Sequence, residues 1–361
     1  MRGTLRVRDD GRIDSIDGSP VSEADVLGLP EAIIVPGFID THVHGGGGCD
    51  VMEGADAAAV IARLHARHGT TALLATTMTA PRADLEAAFA AVAPHCHARE
   101  PGGARVLGVN LEGPYLSAKR LGAQPDYARA FHPDELQALH AVAPIRVVTL
   151  APEIDANREA IAGLRALGIR VQLGHSEASY EAGVEALAQG ASGFTHLFNA
   201  MSGLHHRAPG LAGAALAHAD YAEIIPDLLH VHPGAIRAAL RCVPRLFCVT
   251  DSTAASGMPD GEYRLGRQAV HKCLGGVRLA DGTLAGSTLT MDKAFRNLVS
   301  GLGLGLAEAS RRTSTYAADF LGLADRGRLA PGAWADLAVL DHELQLTGVY
   351  VQGEAIALAD A

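Results

Sequence analysis

An excess of positive charge, paired cysteines and long apolar runs are all missing from this chain, and each absence narrows what it does. Acidic side chains outnumber basic ones by 40 to 30, for a formal net charge of -10. Nucleic-acid binding needs a basic face that releases counterions, so we expect no nucleic-acid partner. A small anionic substrate stays open, because two or three local cations suffice for one. The five cysteines, Cys49, Cys96, Cys242, Cys248 and Cys273, form no Cys-x-x-Cys pair and no regular framework. Such a set reads as reduced thiols in a cytoplasmic protein. No apolar run is long enough to cross a bilayer, so no membrane partner is expected. The opening MRGTLRVRDDGRIDSIDG is charged and turn-rich, where a secretory signal would carry an apolar segment. What is present is a core: apolar residues make up 48% of the 361 positions and charged ones 19%. That length fits one α/β barrel of about 250 residues plus a small satellite.

Both ends read as short β runs. TLRVRDDGRIDSIDG alternates apolar and polar residues about a DDG turn, the pattern of a hairpin. GRLAPGAWADLAVLDHELQLTGVYVQGEAIA has the same texture, broken at PG, DH and QG. We expect residues 1–35 and 330–361 to meet in one small β-sandwich domain, interrupted by a catalytic domain over 36–329. The middle alternates apolar strands with Ala/Leu/Glu/Arg-rich helical sequence. The strands are AIIVPGFID, TALLATT, ARVLGVNLEGP, IRVVTLAPE, RVQLGHSE, GFTHLFNAM, AEIIPDLLHV and RLFCVTDST. Such repetition indicates parallel βαβ units. Polar residues just past the strand ends point to a (β/α)8 TIM barrel with its site on the C-terminal face. A doubly wound open sheet is the alternative, but its dinucleotide glycine fingerprint is missing after the first strand.

The first barrel strand runs into FIDTHVHGGGGCDVMEG. His42 and His44 are two residues apart, so in extended backbone both side chains point to one side. The glycines that follow let the chain turn against the barrel mouth with no Cβ in the way. Glu112, His175, His196 and Asp251 end four later strands. Singly, each has an ordinary reading: a strand-end histidine is more often a hydrogen-bonded surface or cap residue, and an aspartate before Ser-Thr suits a helix N-cap. Together they would place six metal-competent groups on C-terminal strand ends by chance. The set suits a divalent ion of the zinc or iron type. His65, His68, His95, His97, His132, His140, His218 and His271 fall in helical or loop contexts and take no role. Cys49, beyond the glycines, reads as a small packed residue.

PGFIDTHVHG resembles the opening motif of the amidohydrolase superfamily. LEGPYLSAKRLGA, LGHSEA, THLFNAMSGLHHRAPGLAGAAL, TDSTAASGMPDGEYRLG, LAGSTLTMDKAFRNLV and GRLAPGAWADLAVLD follow in the order of its N-acetylglucosamine-6-phosphate deacetylase branch, from about Val35 to Asp341. The resemblance implies a TIM barrel with a small β-sandwich, and hydrolysis of the 2-acetamido group of a sugar 6-phosphate. It implies Glu112, His175 and His196 as principal metal ligands, with His42 and His44 as a second-metal pair found in some members, so one ion or two. Asp251 matches the catalytic aspartate, which takes a proton from the attacking water and delivers it to the departing nitrogen. Arg207 matches a phosphate contact and His230 a substrate-binding histidine. Asn199 and Ala200 follow His196 at what reads as a strand-to-helix turn, where free backbone N–H groups meet an anion. A homodimer is also implied, with the phosphate site shared between subunits.

Two positions depart from the branch. Gln124 stands where a histidine is expected to polarise the acetyl carbonyl; its amide donates a hydrogen bond but carries no charge. Asp227-Leu228 replaces an Asp-Gly, and a leucine there is expected to narrow the pocket. The short N-terminal β region points to a reduced small domain. The rivals are a deacetylase for the galacto epimer or an unphosphorylated sugar, a cyclic-amide hydrolase, and an inactive binding scaffold. Glu112 stands where the cyclic-amide subgroup carries a lysine, and every ligand position is filled, which argues against the last two.

Overall fold

An Asp-Asp-Gly turn reverses the chain between β1 (Arg2–Val7) and β2 (Ile13–Ser19), which pair antiparallel with a bulge at Arg6/Val7. The computed structural model describes residues 1–26, 28 and 32–358. After β3 (Ile33–Pro36) comes the barrel: β4 (Phe38–Val43), β5 (Thr70–Thr77), β6 (Arg105–Glu112), β7 (Ile145–Leu150), β8 (Arg170–Leu173), β9 (Gly193–Phe194), β10 (Tyr221–Ile224) and β11 (Arg245–Cys248). β4 to β9 form one parallel sheet in sequence order, and β10 pairs with β11. Two backbone bonds close the ring. Leu197 N–H donates to Glu223 O at 2.8 Å, and Asp251 N–H donates to His42 O at 2.9 Å.

Every residue of β4 and of β5 is buried, as expected for strands covered on both faces. The outer cover is helical and rich in alanine. Helix Ala57–Arg67, for example, buries Ala58, Ile61, Ala62 and Ala66, the face that a 3.6-residue period puts on the sheet. Helix Tyr180–Gln189 starts where Ser179 accepts the N–H of Ala182 and stops at left-handed Gly190. Among the described residues no helix is long and apolar enough to cross a membrane.

Beyond the eighth strand, a meander of β12 (Gly261–Leu265), β13 (Gln268–Cys273) and β14 (Gly276–Arg278) rises over the mouth on its own small core of Leu265, Val270 and Val277 against Met78. The βα alternation did not foretell it. Further on, the chain returns as β15 (Leu337–Leu340), β16 (Leu346–Val351) and β17 (Glu354–Ala355), in the order β17-β16-β15-β3. β15 pairs antiparallel with β3, from Leu337 opposite Pro36 to Leu340 opposite Ile33. Arg12 and Trp334 form a lone bridge, with the guanidinium 4.2 Å from the indole. The barrel strand thus begins two residues after a strand that belongs to the terminal sheet.

Candidate metal centre

β4 is extended to Val43, though its pairing with β5 shifts register between Asp40 and Val43, and His42 and the next-but-one His44 point to the same interior, 0% and 2% exposed. Their Nε2 atoms stand 3.2 Å apart. The turn that follows needs its glycines: a Cβ on Gly45 would lie 2.5 Å from Ala254 N and Cys49 O. From the opposite wall, Glu112 Oε1 meets His175 Nε2 at 3.2 Å and His196 Nε2 at 3.0 Å, and these two nitrogens are 3.1 Å apart. Glu112 also joins the two pairs, with Oε1 at 3.4 Å from His42 Nε2 and Oε2 at 3.1 Å from His44 Nε2. Asp251 Oδ1 is 3.6 Å from His42 Nε2 and 3.3 Å from His44 Nε2. All six side chains converge. His175, His196 and Asp251 do so from left-handed backbone, at φ 46°, 25° and 51°. Such conformations are unfavourable for residues with a Cβ and cluster at functional sites.

The donor set fits a divalent ion. Neighbouring ligands around a tetrahedral ion at about 2.0–2.1 Å stand about 3.3–3.4 Å apart, close to the spacings here. Three of the four imidazoles are anchored through Nδ1, leaving Nε2 for the centre. His42 Nδ1 meets Glu223 Oε2 at 3.1 Å, His44 Nδ1 meets Thr76 O at 3.2 Å, and His175 Nδ1 meets Arg120 O at 2.8 Å. His196 Nδ1 is buried with no partner among the described residues. Burial pushes the Glu112 carboxyl up, but the charges of His42 and His175 and hydrogen bonds from His175 and His196 hold it well below the ordinary range. Burial likewise opposes ionisation of Asp251, and His42 and His44 overcome it and lower its pKa. In turn, burial pulls His44 down while Asp251 and Glu112 lift it to about 9. The carboxylates thus draw positive charge onto the cluster, and a divalent cation competes with protons for that place.

The cluster floors a cavity of about 230 Å³. Gln124, Asn199, Ala200 and His230 line it with Glu112, His175, His196, His44 and Asp251. Leu265 and Leu284 roof it from the meander side. His230 Nδ1 is held by Asp227 Oδ2 at 2.6 Å, and Asp227 also accepts the N–H groups of Leu229 and His230. Gln124 turns its amide towards Glu112 and Thr79, not away from them.

Three expectations are corrected: at Asn199, at the helix after it and at Leu228. Asn199 N–H is not free for an anion: it donates to His196 O at 3.0 Å. The helix expected to start there begins only at Gly210. Arg207 is exposed, bonded to His206 Nε2 at 2.7 Å, and lies outside the cavity wall. Leu228 does not narrow the pocket; it packs on the barrel core at φ 66°.

Sequence reasoning missed two buried acids. Glu223 backs His42 and accepts Thr41 Oγ1–H at 2.8 Å; its signal was an acid inside the apolar strand YAEI. Asp40, pushed up to about 7 by burial against hydrogen bonds from Thr250 and His42, ties β4 to the end of β11 through Thr250 Oγ1 at 2.6 Å. His65 is deeply buried behind the site, its Nε2 against Gly45 O and Ser252 Oγ, and burial lowers it to about 4.

An eight-stranded α/β barrel with a buried carboxylate–histidine centre at its C-terminal mouth is the frame of a divalent-metal protein. The chain belongs to the amidohydrolase family, whose model matches residues 33–356. That family is in general dependent on divalent metals. The chain is 42% identical to the N-acetylgalactosamine-6-phosphate deacetylase of Escherichia coli O157:H7, covering 97% of this chain and 93% of that one. It is 40% identical to the N-acetylglucosamine-6-phosphate deacetylase of Vibrio furnissii, over 95% and 87%. Among solved structures it is similar to the N-acetyl-D-glucosamine-6-phosphate deacetylase of Mycobacterium smegmatis in complex with N-acetyl-D-glucosamine-6-phosphate. The TM-score there is 0.87 at 37% identity, covering 96% and 93% of the two chains.

Proposed function

We propose that the chain is a metal-dependent hydrolase that removes the acetyl group from N-acetylglucosamine 6-phosphate, giving glucosamine 6-phosphate and acetate. The observation that carries this reading is the convergence of Glu112, His175, His196 and Asp251 on one cavity in a chain so similar to enzymes of that name. Glu112, His175 and His196 would hold one divalent ion, with His42 also within reach of Glu112 and His196, and His42 and His44 with Asp251 would hold a second; zinc or iron suits the nitrogen-rich set. A bound ion supplies Lewis acidity, making water nucleophilic at neutral pH. Asp251, kept ionised by His42 and His44, takes a proton from the attacking water as it adds to the acetyl carbon. The same carboxyl passes that proton to the nitrogen as the C–N bond breaks, since an amine leaves poorly unless protonated. Asn199, Ala200 and His230 surround the sugar. Arg207, whose guanidinium is exposed, meets the 6-phosphate, for which a guanidinium fork is suited.

We further propose a homodimer, a small domain built from 1–35 and 330–361 around a catalytic domain of 36–329, and a cytoplasmic setting, which the five free cysteines support. A second reading, the galacto epimer as substrate, is favoured by the Escherichia coli relative. Acetate release by the metal-loaded protein decides between them. It should be fastest with N-acetylglucosamine 6-phosphate and slow with N-acetylglucosamine. A faster rate on N-acetylgalactosamine 6-phosphate would favour the second reading, and no release from either phosphate would end both.

A further inference from the structure

Gln124, 4% exposed in the cavity wall, has both ends of its amide engaged. Oε1 accepts the backbone N–H of Thr79 at 2.7 Å, and Nε2 donates to Glu112 Oε2 at 2.6 Å. The neighbours fix this orientation. A backbone N–H only donates and an ionised carboxylate only accepts, so a flipped amide would set donor against donor and acceptor against acceptor. The Thr79 end is itself placed by the chain. Gly113, next to Glu112, has φ 83°, and a Cβ there would stand 2.0 Å from Thr79 Oγ1. Glycine thus lets the segment after β5 come close enough to offer its N–H to Gln124.

We propose that Gln124 is a positioning residue that fixes Glu112 as a metal ligand, in place of the acetyl-carbonyl contact that the resemblance implies for this position. The inference rests on the reading of Glu112 as a ligand given above. The last torsion of a glutamate is broad, so hydrogen-bond partners set the plane of its carboxylate. Here the amide holds Oε2, which also stands 3.1 Å from His44 Nε2, while Oε1 faces the Nε2 atoms of His175 and His196. A bond to an ionised acceptor is about twice as strong as a neutral one, which suits a tether. Polarising the acetyl carbonyl then falls to the centre itself.

Zinc affinity of the full chain, read by competition with a chromophoric chelator, tests this. Gln124→Leu removes the donor, and Gln124→Glu keeps the acceptor for Thr79 but faces Glu112 with a like charge. Both should weaken zinc binding about 10–100-fold with the circular dichroism of the wild type, as loss of an outer hydrogen bond to a ligand does. Should the leucine variant fail to fold, the glutamate variant decides alone. Zinc affinity within about twofold of wild type, together with a raised KM or a lowered kcat on the sugar phosphate, would overturn the proposal and return Gln124 to the substrate. A wild-type chain that takes up no divalent metal would overturn the metal-centre reading and this inference with it.

Discussion

The two histidine pairs of the centre are built in opposite ways. His42 and His44 belong to one short extended segment whose period of two aims both inward. His175 and His196 come from the ends of separate strands, each in left-handed backbone. The first pair is backed by a buried carboxylate, Glu223, and a carbonyl; the second by the Arg120 carbonyl on one side and no described partner on the other. One pair is written locally and reinforced from behind. The other exists only because the barrel closes and holds unfavourable backbone in place. Glu112 joins them, and Asp251 leans on the first pair.

The largest effects should fall on the residues that strained backbone delivers. Asp251→Asn should cut kcat about 10²–10⁴-fold on the sugar phosphate with a small change in KM, as removal of a general acid–base does. An unchanged kcat would take the proton role away from Asp251. His175→Ala should weaken metal binding by more than the 10–100-fold expected of an outer contact, whereas His42→Ala should remove no more than one ion and spare the other. Metal content by elemental analysis separates them, and equal losses would break the contrast between the pairs.

Smaller effects sharpen the contrast. Glu223→Gln should weaken metal binding at the His42 side about 10–100-fold and leave the other side alone. Next comes Asp227, which supports His230 near the mouth. Burial pulls His230 down, but the hydrogen bond and charge of Asp227 raise it above its ordinary 6.5. Stability from that raised value is fully present below 6.5 and is lost as pH rises through the folded value. Asp227 is lowered, so its share is present above 3.8 and lost as pH falls through its folded value. The stability lost in Asp227→Asn, from urea midpoints, should therefore be larger near about pH 5.5 than near about pH 9. The smallest effect is expected at Leu228. Its left-handed backbone costs about 1–2 kcal/mol, and its packing on the core offsets about as much, so Leu228→Gly should stay within about 1 kcal/mol of wild type. A loss above about 3 kcal/mol would make its packing dominant.

The barrel and the convergence of the six side chains were legible because their signals are local or repeated: an i, i+2 histidine pair, and polar residues after one apolar strand after another. Left-handed backbone at His175, His196 and Asp251 was not, because nothing in LGHSE, FTHLF or VTDST specifies it without the closed ring. Glu223 was hidden for a related reason, as one acid inside an apolar strand has no meaning until His42 stands beside it. The meander over the mouth escaped because the strand series was followed only as far as RLFCVTDST, and the residues after it were read for motifs alone. Asn199 shows the limit of reading a turn from its strand end: its N–H was expected to be free for an anion and is committed to His196 O instead.

The central claim is that the Glu112–histidine centre does its chemistry with a divalent ion on a phosphorylated acetamido sugar. It is tested most directly by stripping the protein with a chelator, restoring zinc or iron in steps, and following acetate release from N-acetylglucosamine 6-phosphate against bound metal. The account predicts a rate that vanishes with the metal and returns in proportion to it. A stripped protein that keeps its full rate would contradict it.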